Sequence, residues 1–237
     1  ILKAAQIAIE EGVAVPILLC NKQKIEKLII ENNLDLEDVQ IIDPRSEEEA
    51  KRRAKFGEAF LEKRKRKGYT LYEANQAMRE RNYFGAMLVE TGEADALISG
   101  ITRNYKDVIR PALQVIGTQD DVDKVAGMYI MITKRGPVML ADTTVNFEPN
   151  AEEIAEITNM VAKTAWKLKI PPRIALLSYS NFGSAPGKDS NKMRDAVEIL
   201  HRDYPNLVVD GEIQANFALN TEMLEDKFPF SQFLNKK

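Results

Sequence analysis

The stretch ALLSYSNFGSAPGKDSNKMRDA (residues 175–196) begins as an apolar strand, passes through small residues and ends as a basic, amphipathic helix. Its loop carries Ser180, Asn181, Gly183, Ser184, Gly187 and Lys188. Strand, Gly/Ser loop and helix is an arrangement that holds phosphate groups on backbone N–H donors at a helix N-terminus. A nucleotide-hydrolysing P-loop is disfavoured. That motif needs one more residue between its glycines and a Ser or Thr after the lysine, whereas Gly183 and Gly187 enclose only three residues and Asp189 follows Lys188. Two readings stay open: a βα loop whose glycines serve tight turning, and a phosphate site without nucleotide hydrolysis. In the second, Asn181, Ser184 and the backbone face a ligand beyond the carboxyl ends of the strands.

Outward from this unit, helical and strand patterns alternate. Residues 2–11 read as a helix stopped by Gly12, then come the strand AVPILLC, a helix over 22–32 and the short strand VQII. Ser46 with Glu49 predicts a capping box opening a long helix with an acidic first turn (Glu47, Glu48, Glu49) and a basic end. Thr70 with Glu73 opens the next helix, residues 82–91 form another, DALIS reads as a strand, and Gly100 turns into a helix through VIRPALQVIG. AGMYIMIT and GPVMLAD read as paired strands around Lys134-Arg135-Gly136. Asn150 and Glu153 cap a helix over 151–168, and after LVVDG a last helix is expected over 212–226, opened by Asp210, Gly211, Glu212 and Gln214. Strands alternating with helices predict a mainly parallel, three-layer α/β architecture. The polar, Gly-led GTQDDVDK (117–124) places a boundary between α/β subdomains 1–119 and 120–237. Both ends are abrupt, so the two subdomains are expected to be truncated, the first N-terminally and the second C-terminally.

The 237 residues carry a formal charge of −3 with 44% hydrophobic and 29% charged residues, which argues against nucleic acid as a partner. No apolar run reaches the length of a membrane span and no signal peptide is present, so neither a membrane nor secretion is expected. The single cysteine, Cys20, excludes an internal disulfide framework and fits a reducing cytoplasm. A lone His201 leaves no room for a His-based triad or a His-rich metal site.

Among basic residues, Arg64, Arg66 and Lys67 cluster at a helix end just before Gly68. Arg110 stands in an otherwise apolar segment and must meet a ligand anion or an internal carboxylate, because an unpaired buried charge is costly. Asp142, Asn146, Glu152 and Glu153 do not make a metal site, since capping accounts for Glu153, and no metal is expected.

Taken in order, ILKAAQIAIEEGVAVPILL, FLEKRKRKGYT, GEADALISG, IRPALQVIG, PNAEEIAEI, ALLSYSNFGSA and DGEIQ resemble the phosphotransacetylase (phosphate acetyl/butyryltransferase) family over nearly the whole chain. The resemblance implies two α/β subdomains facing across a cleft, related to the isocitrate dehydrogenase type, usually in a homodimer or higher homo-oligomer. It implies acetyl-CoA or coenzyme A as ligand, with Arg64 and Arg110 near the active site. It also places Thr102, Arg103, Ser180, Asn181, Gly183 and Ser184 on the ligand, with the 180–184 loop lining the cleft. The family's catalytic Ser-Arg pair falls beyond Lys237.

Three departures bear on function. SGITRNY replaces the family's His-Thr-Thr pattern with Arg103, Asn104 and Tyr105, and Asn216 replaces the family's acid after GELQ. SNFGS followed by Lys192-Met193-Arg194 is similar to the version fused behind malic enzyme. That likeness implies an acetyl-CoA-sensing regulatory domain, not itself catalytic, within an NADP-dependent malic enzyme whose NADP and divalent-metal sites lie in a missing N-terminal half. The alternatives are an active phosphate acetyltransferase and a dimerisation module that binds nothing.

Overall fold

The computed structural model describes residues 1–36, 38–118, 122 and 124–234. They separate into two compact units, Ile1–Gly117 and Thr118–Lys237. The boundary expected between 119 and 120 falls on Gln119 and Asp120, outside the described residues.

The first unit runs α1 (Leu2–Glu10), β1 (Ile17–Leu19), α2 (Lys22–Glu31), β2 (Gln40–Ile42), α3 (Ala50–Arg64), a 3-10 turn (Lys65–Lys67), α4 (Leu71–Ala77), α5 (Arg81–Glu90) and α6 (Tyr105–Val115). β1 and β2 pair in parallel, with Leu18 opposite Ile41. Phe56 and Phe60 of α3, Met78, Phe84 and Met87 are wholly buried in one core, each worth about 1.5–3 kcal/mol of apolar transfer. α4 opens on the expected capping box, Thr70 and Glu73 each satisfying the other's backbone N–H.

Two local expectations fail in this unit. Ser46 and Glu49 form no capping box: α3 starts at Ala50, Glu49 makes no side-chain cap and the first turn holds no acid. The buried Arg53 donates to the carbonyls of Pro44 and Ser46, which holds 43–49 as turns. DALIS is no strand either. Residues 95–99 pair with no strand among the described residues, and Ile98 is 97% exposed.

The second unit contains an antiparallel hairpin, β3 (Met128–Thr133) and β4 (Gly136–Ala141), turning at Lys134-Arg135 as expected. α7 (Ala151–Lys167), β5 (Arg173–Leu177), α8 (Lys188–Asp203), β6 (Val208–Ile213), α9 (Ala215–Ala218) and α10 (Thr221–Lys227) follow. The Asn150–Glu153 capping box starts α7. β5 and β6 are parallel, with an irregularity at Leu176/Leu177, and Ile154, Leu176, Ala196, Val197, Leu200 and Val209 form the core beside them. The long helix expected over 212–226 is corrected: β6 runs on through Ile213 and two short helices follow. Glu212 is therefore a strand residue. The α/β class holds in both units, although the described strands pair as three two-stranded sheets.

Candidate functional site

Each unit carries one part of the expected residue set. In the second, β5 delivers the chain into loop 178–187, and β6 runs alongside it with Glu212 wholly buried. Glu212 Oε1 accepts the Ser180 hydroxyl at 2.9 Å and the Gly183 N–H at 2.7 Å, while Oε2 accepts Nε of Arg194 at 3.4 Å. Burial pushes the Glu212 carboxyl up. The Gly183 N–H, its own backbone N–H, the Ser180 hydroxyl and the Arg194 charge outweigh that and hold it below the usual carboxylate range.

The rest of the loop closes on itself. Asn181 N–H donates to Ser184 Oγ (2.9 Å), Phe182 N–H to the Glu212 carbonyl (2.7 Å), Ser184 N–H to the Asn181 carbonyl (3.0 Å) and Ala185 N–H to Ser180 Oγ (3.0 Å). Ser180 N–H reaches Ser178 Oγ at 3.2 Å. Phe182, at φ +48°, pins the loop by edge contacts with Phe228 and Phe230, ring centres 5.0 Å away in both cases. The backbone N–H groups of 180–185 are thus spent inside the unit, which corrects the expectation that they hold phosphate. Side chains face outward instead: Ser184 is exposed and Asn181 half-buried, its Oδ1 accepting the Gln214 N–H at 2.8 Å. Ser180 is wholly buried.

Sequence reasoning assigned Asp210 and Glu212 to helix capping and so missed both. Asp210 accepts the Ser231 hydroxyl at 2.7 Å and the Gln232 N–H at 2.8 Å. The signal was present: two acids alternating with apolar residues in VVDGEI fit a buried strand as well as a cap.

In the first unit Arg64 ends α3, and its Nε is buried with no hydrogen-bond partner among the described residues. Thr102 and Arg103 stand in the turn before α6, Arg103 paired with Glu80 at 3.3 Å. Asn82 of α5, buried, ties this segment down: it accepts the Ser99 hydroxyl at 2.7 Å and donates to the Asp107 carbonyl at 3.0 Å. Its N–H meets Glu80, the partner of Arg103. Arg110 is exposed and has no carboxylate within ion-pair distance among the described residues, so the internal salt bridge weighed for it does not form. One turn on, Gln114 Oε1 accepts both Tyr69 and Tyr83 hydroxyls, at 3.0 and 2.6 Å. Burial, then the neighbouring Tyr69 phenol, push the Tyr83 phenol up, against a smaller opposing effect of Arg110. Tyr83 is a neutral donor.

Asp142 accepts N–H groups from Gly127, Thr144, Val145 and Asn146, and among the described residues no group of three or more His, Cys, Asp or Glu is placed to hold a metal. No helix among them is long and apolar enough to cross a membrane.

A model of the phosphate acetyl/butaryl transferase family matches residues 1–236. A phosphate acetyltransferase from Bacillus subtilis is 39% identical over 217 residues, 92% of this chain and 66% of the relative. One from Synechocystis sp. is 37% identical over 100% of this chain and 34% of the relative. The crystal structure of a phosphotransacetylase from Streptococcus pyogenes matches with a TM-score of 0.85 at 35% identity, covering 98% of this chain and 70% of that one. The chain therefore spans about a third of the length of the Synechocystis relative and just under two thirds of the Bacillus one.

These findings correct the expectation of a non-catalytic segment of a malic enzyme. An NADP-dependent malic enzyme from Escherichia coli does match, at 36% identity over 98% of this chain. Relatives named as phosphate acetyltransferases match over comparable lengths at 37% and 39%, however, and the solved structure is a phosphotransacetylase.

Proposed function

The chain belongs to the phosphate acetyl/butaryl transferase family, and on that premise we propose that it is part of a phosphate acetyltransferase exchanging an acetyl group between coenzyme A and phosphate. The observation that carries this reading is the family match over residues 1–236 together with relatives of that name at 37–39% identity.

In this reading the coenzyme A thiolate attacks the carbonyl carbon of acetyl phosphate, the new C–S bond forms, the C–O bond to phosphate breaks and inorganic phosphate leaves. The exchange is redox-neutral and calls for no NADP. The charge to be stabilised sits on the phosphate oxygens, which is work for guanidinium groups held ready in place. Arg64, with its buried Nε unpartnered among the described residues, and Arg110, exposed and with no carboxylate paired to it among them, supply such groups. Thr102 and Arg103 in the first unit, and Asn181 and Ser184 in the second, are each assigned to ligand contact, and Ser180 and Gly183 shape the second unit's loop. A homodimer and a cytoplasmic setting accompany the reading. Incubation of the intact parent protein with acetyl phosphate and coenzyme A tests it: acetyl-CoA is expected to form catalytically, and no turnover by folded protein that binds coenzyme A overturns it.

A further inference from the structure

Arg194 projects from α8 beside the loop. Its Nε donates to the buried Glu212 carboxylate at 3.4 Å and Nη2 donates to Asn191 Oδ1 at 3.0 Å. These two anchors fix the plane of the guanidinium, whose five N–H groups form a rigid fork. The remaining nitrogen, Nη1, lies 3.9 Å from where a Cβ on Gly183 would stand, so it sits over that glycine. Gly183, at φ +89°, both makes the turn and leaves the space open. The Arg194 side chain stays 41% exposed while Glu212 has no exposed surface. With the loop N–H groups of 180–185 spent internally, Nη1 offers an incoming anion charged donors beside the Asn181 and Ser184 side chains.

We propose that Arg194 is a phosphate-binding residue of the loop site, and that Glu212 is the positioning residue that holds its guanidinium over Gly183. The inference rests on the reading of loop 180–184 as ligand-binding and adds to it a contact from α8. The phosphate belongs either to the small substrate, inorganic or acyl phosphate, or to coenzyme A, and the two are separable by titration.

The test is calorimetric titration of the intact parent protein with inorganic phosphate and, separately, with coenzyme A, alongside a melting curve for each variant. Arg194→Gln is expected to weaken one of the two ligands about tenfold, the loss of a charge-assisted hydrogen bond, and Arg194→Lys to recover part of it. Weakened inorganic phosphate assigns the small substrate, and weakened coenzyme A assigns the cofactor's phosphates. Unchanged affinity for both in a folded variant, or a parent protein that binds neither, overturns the proposal. Should Arg194→Gln fail to fold, Arg194→Lys, which keeps the charge beside Glu212, is read by the same criterion. Glu212→Gln keeps an acceptor for Gly183 but loses the ion pair. It is expected to weaken the same ligand severalfold, with no further loss in the double variant with Arg194→Gln, whereas additive losses overturn the positioning role. Because binding is read without turnover, loss of phosphate affinity in a protein that transfers no acetyl group leaves this inference standing and removes only the proposed function. Turnover with unchanged affinities does the reverse.

Discussion

Glu212 and Gly183 are joined by a 2.7 Å hydrogen bond from the glycine N–H to a carboxylate with no exposed surface. The bond crosses from β6 to the loop after β5, and it decides what the loop has left to offer a ligand.

Glu212→Ala leaves the Ser180 hydroxyl and the Gly183 N–H without their acceptor, at about 1–3 kcal/mol for each buried group left unpaired. The melting temperature of the protein is expected to fall accordingly. The folded carboxyl sits below its ordinary range, so its stabilisation is complete above the unfolded-state value near about pH 4.3 and is lost as pH falls through the folded value. Melting curves taken downward from neutral pH are expected to show a steeper acid loss in the wild type than in Glu212→Gln. Parallel curves would contradict this.

Gly211 precedes Glu212 at φ +147°, and a Cβ there would stand 2.7 Å from the Leu176 carbonyl oxygen across the β5–β6 ladder. Backbone cannot move aside as a flexible side chain does. Gly211→Ala is expected to destabilise the second unit by at least the 1–3 kcal/mol typical, roughly, of an overpacked site. A melting temperature within error of wild type would contradict the clash.

Several elements were legible in the sequence because a few adjacent residues determine them. The capping boxes at Thr70–Glu73 and Asn150–Glu153 form as read, and Lys134-Arg135-Gly136 turns the hairpin. The Ser46–Glu49 signal is equally good locally, but Arg53 captures the carbonyls of Pro44 and Ser46 and delays the helix. Glu212 was hidden for a related reason. An acid after glycine reads as a cap until the residues 29 and 32 positions earlier that bond to it are known. Asn82 carried no signal, being one polar residue in a helical pattern.

Asn82→Ala is expected to cost about 0.5–1.5 kcal/mol for each of the hydrogen bonds lost to the Ser99 hydroxyl and the Asp107 carbonyl, whose residues are exposed. The larger effect is local. Residues 99–104, which carry Thr102 and Arg103, lose their tie to α5, and their amide hydrogens are expected to exchange faster than those of α3. Uniform exchange changes over the unit would show Asn82 to be only part of its general packing.

Arg110→Ala separates ligand contact from structure. With the side chain exposed and no carboxylate paired to it among the described residues, the ligand-free melting temperature is expected to stay within the about ±0.5 kcal/mol of ordinary surface changes. The KM for acetyl phosphate is expected to rise about ten- to a hundredfold, the worth of a charge-assisted contact, with lysine recovering only part because it lacks the planar fork. A lowered melting temperature with an unchanged KM removes Arg110 from the site.

The central claim is acetyl exchange between coenzyme A and phosphate, and the reverse direction tests it most directly. Purified intact parent protein is incubated with acetyl-CoA, with and without inorganic phosphate, and the release of free thiol is followed. The account predicts catalytic thiol release that depends on phosphate and produces an equal amount of acetyl phosphate. Thiol release that proceeds equally without phosphate, or none from folded protein that binds acetyl-CoA, would contradict it.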